Sequence, residues 1–148
     1  MTVALVEQPY LVAGRRRQPP AERLDESWLA AVKTLRGVIF EEAPLVVGGR
    51  SAGARVACRT AAKAGAGAVL CLAFPLHAPG NAAKSRLEEL DAVQVPVLVI
   101  QGERDPFGIP PPGPRRTVVR VPGSHSLRST NAIETAISGW LATPAMPS

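Results

Sequence analysis

Three segments of the chain are near-continuous in Val, Leu, Ile and Ala: "PLVVGG" (44–49), "AVLCLAFP" (68–75) and "VPVLVIQG" (95–102). None alternates apolar with polar residues, so an extended backbone there presents an apolar side chain to both faces. Strands buried on both faces of a parallel sheet read this way. Two further apolar runs, "VALVEQPY" (3–10) and "TVVRVPG" (117–123), read as additional strands, giving a mainly parallel sheet of about five strands. Parallel neighbours need crossovers of about a dozen residues or more, usually helical.

Helical patterns occupy the intervals. From Pro19 to Arg36, the residues Leu24, Trp28, Val32 and Leu35 repeat at helical spacing, with Glu22 and Asp25 early in the segment. Ala52 to Ala64 is alanine-rich and ends at Gly65, a C-terminal cap. Residues 84–91 read as a short helix, and Ile133, Ile137, Trp140 and Leu141 form an apolar stripe over Asn131–Leu141. Strand and helix alternate, so the chain is read as one α/β domain over residues 1–148 with helices flanking the sheet. The connection "DPFGIPPPGPRR" (105–116) is too proline-rich for a helix.

Composition narrows the function classes. Of 148 residues, 46% are hydrophobic, enough for a buried core. The formal charge is +5, and the obvious basic cluster is Arg15-Arg16-Arg17. No aromatic residues interleave with it and no recognition motif surrounds it, so it reads as a solvated loop and not a nucleic-acid patch. Cys58 and Cys71 stand in apolar contexts and read as buried, reduced thiols. No Cys/His spacing suits zinc, no P-loop or dinucleotide fingerprint is present, and neither metal nor cofactor is expected. No apolar run is long enough to span a bilayer, and the N-terminus lacks the basic start of a signal peptide. The expected location is the cytoplasm, and the Ala-, Arg-, Gly- and Pro-rich usage fits a bacterial, GC-rich source.

Gly49-Arg50-Ser51-Ala52-Gly53 fits G-x-S-x-G, with a strand before it and a helix after it. A sharp turn there lifts a serine oxygen above the sheet edge. The Ala52 amide, at the helix start, is placed to donate to a developing oxyanion. A nucleophilic serine needs a base and an acid. Asp105 follows the run ending at Gly102, and His125 follows the last run. Both sit past the C-terminal ends of strands, where sites of open parallel sheets gather. The order serine, acid, histidine is that of α/β-hydrolases. Glu103 is a second candidate acid, nearer its strand. His77, in "FPLHAPG", is a lining or structural residue, and Arg15, Arg16 and Arg50 are candidate contacts for an anionic substrate.

Together "VVGGRSAGARVA", "FPLHAPG", "VPVLVIQGERDPFG" and "VPGSHS" resemble the α/β-hydrolase family of bacterial dienelactone-hydrolase relatives. That family also includes the hydrolase-like domain of a nonspecific-lethal chromatin complex subunit. The resemblance implies a serine hydrolase cleaving an ester or related acyl bond through an acyl-serine intermediate, without a cofactor. It also implies strands and an H-G-x-G-like loop, giving a second oxyanion amide, upstream of where this sequence starts; the chain is read as N-terminally shortened. A missing central strand leaves sheet edges through which a homodimer could pair. The alternative function is a weakly active or inactive hydrolase-like scaffold.

Overall fold

The computed structural model describes residues 1–39, 43–78 and 80–143. Its contacts group into two compact units, Met1–Ala43 and Pro44–Ser148.

In the first unit the run at residues 3–8 forms no strand, contrary to expectation. Val3 and Leu5 are exposed, and Pro9 opens a short helix, α1 (Pro9–Val12). A proline at the first helical position gives up no needed donor and has its φ already set. The apolar count of the run suggested a strand, but no ladder partner exists for it among the described residues. Helix α2 (Ala21–Val38) follows, two residues later at each end than its periodicity suggests. Leu24 and Val32 are buried along its stripe, and the Gln8 amide donates to the Leu24 carbonyl at 3.3 Å. Arg15, Arg16 and Arg17 lie exposed between the two helices.

The second unit is the α/β body. Its strands are β1 (Val46–Arg50), β2 (Ala68–Leu72), β5 (Val97–Gly102) and β6 (Arg116–Val121). They form a parallel sheet in the order β1-β2-β5-β6. This is four strands where the sequence suggested about five, because the first apolar run does not join. A separate antiparallel pair, β3 (His77–Ala78) and β4 (Asn81–Ser85), was not foreseen. It takes the first residues of the segment read as a helix, so α4 is only Leu87–Asp91.

Helices α3 (Ala52–Ala64) and α5 (Thr130–Leu141) complete the unit. Small side chains let α3 lie close to the sheet, with Ala54, Val56, Ala57, Cys58 and Ala61 buried. Trp140 of α5 packs in a cluster with Ala68, Leu98, Ile100 and Val121. Every residue of β5 is buried, the polar Gln101 included.

The proline-rich segment after β5 is irregular, and Arg116 at the start of β6 secures it. Its guanidinium donates to the Pro111 carbonyl at 2.7 Å and pairs with Asp91 at 2.9 Å. Cys58 and Cys71 are free and buried, with Sγ atoms 3.5 Å apart. The hydrogen bond with Cys58, then burial, pushes the Cys71 thiol up. No helix among the described residues is long and apolar enough to cross a membrane.

Ile100 is fully buried in the cluster that seats α5. Ile100→Ala is expected to lower stability by about 2–5 kcal/mol, read as a lower urea midpoint without loss of the folded baseline.

Candidate active site

Strand β1 runs directly into α3 through Ser51. A Cβ on Gly49 would lie 2.5 Å from the Gly53 carbonyl oxygen, so only glycine lets strand and helix approach this closely. The chain turns within one residue: Ser51 has φ 53° and ψ −115°. A positive φ at a non-glycine residue carries strain of about 1–3 kcal/mol, and such strain clusters at functional sites. Backbone hydrogen bonds on both sides of Ser51 hold the turn. The Ser51 amide donates to Leu72 O at 2.9 Å, prolonging the ladder to β2, and Ser51 O accepts from Ala54 N at 3.1 Å.

The other two residues arrive from neighbouring strands. Beyond β5, Asp105 is buried, with 0% of its side chain exposed. Beyond β6, a tight turn closed by Leu127 N on Ser124 O (3.1 Å) presents His125. His125 Nδ1 lies 2.8 Å from Asp105 Oδ2, and His125 Nε2 lies 2.9 Å from Ser51 Oγ. With the carboxylate accepting from Nδ1–H, Nε2 is the free base facing the hydroxyl. The structure thus brings Ser51, Asp105 and His125 into one hydrogen-bonded line. Glu103, the competing acid, is exposed.

Neighbours fix each member. Asp105 Oδ1 accepts from Phe107 N at 2.9 Å, and Oδ2 accepts from Gln101 Nε2 at 2.8 Å. The Phe107 ring meets His125 edge-on, with centroids 4.7 Å apart. Ala52 opens α3, so its amide belongs to the helix turn that has no intrahelical acceptor. Arg50 is exposed and its Nη2 donates to the His125 carbonyl at 3.3 Å. His77 packs beside the acid's turn: its ring lies against Gly108, and its amide donates to Phe107 O at 2.9 Å. Its Nδ1 is buried without a partner among the described residues. Arg15 and Arg16 belong to the N-terminal unit.

Two residues escaped the sequence reading. Gln101 was counted as the tail of an apolar run, although a lone amide in a buried strand is itself a signal. Phe107 carried no signal beyond lying two residues past the acid. A cavity of about 500 Å³ lies between α3 and α4, lined by Cys58, Arg59, Glu89 and Val93 among others, and contains none of the three aligned residues. No cluster of three metal-ligating side chains exists among the described residues.

A parallel sheet with a strained strand-to-helix serine, and acid and histidine at successive strand ends, defines the α/β-hydrolase class. The family described as "Alpha/beta hydrolase domain" matches residues 1–113, and the chain belongs to it. No curated protein matches. Among solved structures, an α/β serine hydrolase without a lid from Xanthomonas campestris is similar at TM-score 0.64 and 23% identity, over 90% of this chain and 63% of that one. An α/β serine hydrolase homologue from Coxiella burnetii gives 0.57 and 16%, over 84% and 60%. A thioesterase domain from the curacin biosynthetic pathway gives 0.54 and 15%, over 77% and 71%. The chain thus spans under two thirds of the length of the first two.

The His125 turn also depends on a bare backbone. A Cβ on Gly102 would run into the Ser124 carbonyl, whose carbon it would meet at 2.8 Å. Gly102→Ala is expected to displace His125 and slow labelling of Ser51 by an active-site phosphonate up to about 100-fold. Circular dichroism should show the fold retained.

Proposed function

We propose that the chain is a serine hydrolase acting on an ester or related acyl bond. The observation that carries this reading is the unbroken line Asp105–His125–Ser51, with bonds of 2.8 and 2.9 Å, ending on a serine held at positive φ. Ser51 Oγ attacks the acyl carbon while His125 Nε2 takes its proton. The Ala52 amide donates to the oxygen that becomes negative. His125 then returns the proton to the leaving group, which departs and leaves an acyl-Ser51. Water, deprotonated by the same imidazole, attacks that ester, the bond to Ser51 Oγ breaks, and His125 returns the proton to Oγ as the acid leaves. Asp105 orients the ring and stabilises its charged form.

The finer family reading, among dienelactone-hydrolase relatives, rests on the motif resemblance and belongs to the same proposal. An anionic substrate is favoured by Arg50, whose guanidinium is fixed on the His125 carbonyl next to the serine. A reducing cytoplasm is favoured by the two free, buried thiols. The competing reading is a non-catalytic module pairing with a second copy of itself. It rests on β1, an outer strand of the sheet, since an edge strand presents backbone groups that can pair with another chain.

A fluorophosphonate probe separates the two. Labelling is expected to vanish in Ser51→Ala and to fall about 10⁴-fold in Asp105→Asn. Folded wild-type protein that takes no label would sink the hydrolase reading. With an active preparation, Arg50→Gln is expected to raise KM for an anionic ester more than for its neutral analogue. That difference should shrink as salt rises, and equal effects on both esters would remove Arg50 from substrate recognition.

A further inference from the structure

Gln101 is the one polar side chain of β5, and it is fully buried. An apolar residue would suit the strand better on stability alone. The amide is under-satisfied where it stands: Oε1 is buried without a partner among the described residues. Leaving such an acceptor unpaired costs about 1–3 kcal/mol.

The nitrogen is crowded instead. Gln101 Nε2 lies 3.0 Å from Phe74 O, 2.8 Å from Asp105 Oδ2 and 3.0 Å from Gly108 O. Two N–H groups serve three acceptors, so one is shared. Flipping the amide would set Oε1 against two carbonyls and a carboxylate, which fixes its orientation.

We propose that Gln101 is a positioning residue for His125, acting through Asp105. Phe107 N holds Oδ1, and with that bond alone the carboxylate can still swing about it. A second donor on Oδ2 removes that freedom and turns Oδ2 onto His125 Nδ1. The donor has to be neutral. A guanidinium there would neutralise the charge that Asp105 offers the imidazolium. A carboxylate would repel it, and an apolar side chain would leave a buried anion short of a hydrogen bond. The effect on rate rests on the hydrolase reading; the effect on the His125 hydrogen bond does not.

The test uses the folded chain without substrate. The His125 Nδ1–H proton, hydrogen-bonded to a carboxylate, gives a far-downfield proton resonance, assigned by its absence in His125→Gln. In Gln101→Met, which keeps volume and removes the donor, that resonance is expected to vanish. Phosphonate labelling should slow up to about 100-fold, in the limiting rate and not in the half-saturating concentration. Gln101→Glu keeps the shape. While the introduced carboxyl is protonated it donates to Asp105, and both signals should stay near wild type. As pH rises it ionises, and two carboxylates face each other, so both signals should be lost. The other titratable or charged groups nearby are His125, His77 against Gly108, Arg120 as the β6 register partner, and Arg50 on the His125 carbonyl.

A resonance that survives in Gln101→Met while only the melting temperature falls would reduce Gln101 to a tie between loops, and the proposal fails. It fails equally if the wild type shows no such resonance. If Gln101→Met does not fold, pH-independent behaviour of Gln101→Glu overturns it. Wild-type protein that takes no label but loses the resonance in the variants supports Gln101 and removes the hydrolase reading.

Discussion

The meeting of β1 and α3 at Gly49 and Gly53 sets the rest of the site. Without a side chain at Gly49, where a Cβ would run into the Gly53 backbone, the helix starts almost on the strand, and Ser51 has to reverse the chain alone. Its positive φ follows from that closeness. So does the position of the Ala52 amide, at the start of α3 next to the serine. The strain of about 1–3 kcal/mol is offset by what α3 gains beyond the turn, where Ala54, Val56, Ala57 and Ala61 are buried. Larger residues on that face would lift the helix, and the turn with it.

Asp105 and His125 are placed by register. Strands β5 and β6 pair in parallel from Val97–Arg116 to Gly102–Val121, so they end level. Residues three and four beyond those ends then lie side by side. A crossover helix between these strands is one way to obtain that register. Here a short proline-rich segment serves, because Arg116 holds the Pro111 carbonyl and Asp91 from the foot of β6. The guanidinium is itself largely buried, with 7% of its side chain exposed, while Asp91 is exposed, so the bond to the Pro111 carbonyl is the better shielded of the two. Proline supplies the rest, since a chain already restricted in φ loses less entropy on being held.

Much of this was legible in the sequence, for identifiable reasons. Strand β5 is buried throughout and β2 mostly so, and their near-continuous apolar runs say so. That Ser51, Asp105 and His125 would converge was legible because each follows a strand end in order, and order survives without coordinates. The first apolar run misled because hydrophobic content does not supply a partner. A strand exists only where a ladder exists, and Val3 and Leu5 found exposure instead. The β3–β4 pair was hidden because Asn81–Ser85 is exposed throughout and has no apolar pattern to read. Gln101 was hidden for the opposite reason, as a single polar letter inside an apolar word.

The distribution of charge around the serine follows one rule. The carboxylate of Asp105 is enclosed, and the groups that touch it are a backbone amide, a side-chain amide and an imidazole. None of the first two carries a charge, so the full field of the anion falls on the one partner that can become a cation. The arginine nearest in sequence stays outside this shell. Arg50 is exposed and tethered by Nη2 to the His125 backbone carbonyl. An arginine moved inward by one shell would cancel Asp105 and leave the imidazolium unsupported. The buried anion thus sits among neutral donors and one imidazole, and the guanidinium of Arg50 stays at the solvent front.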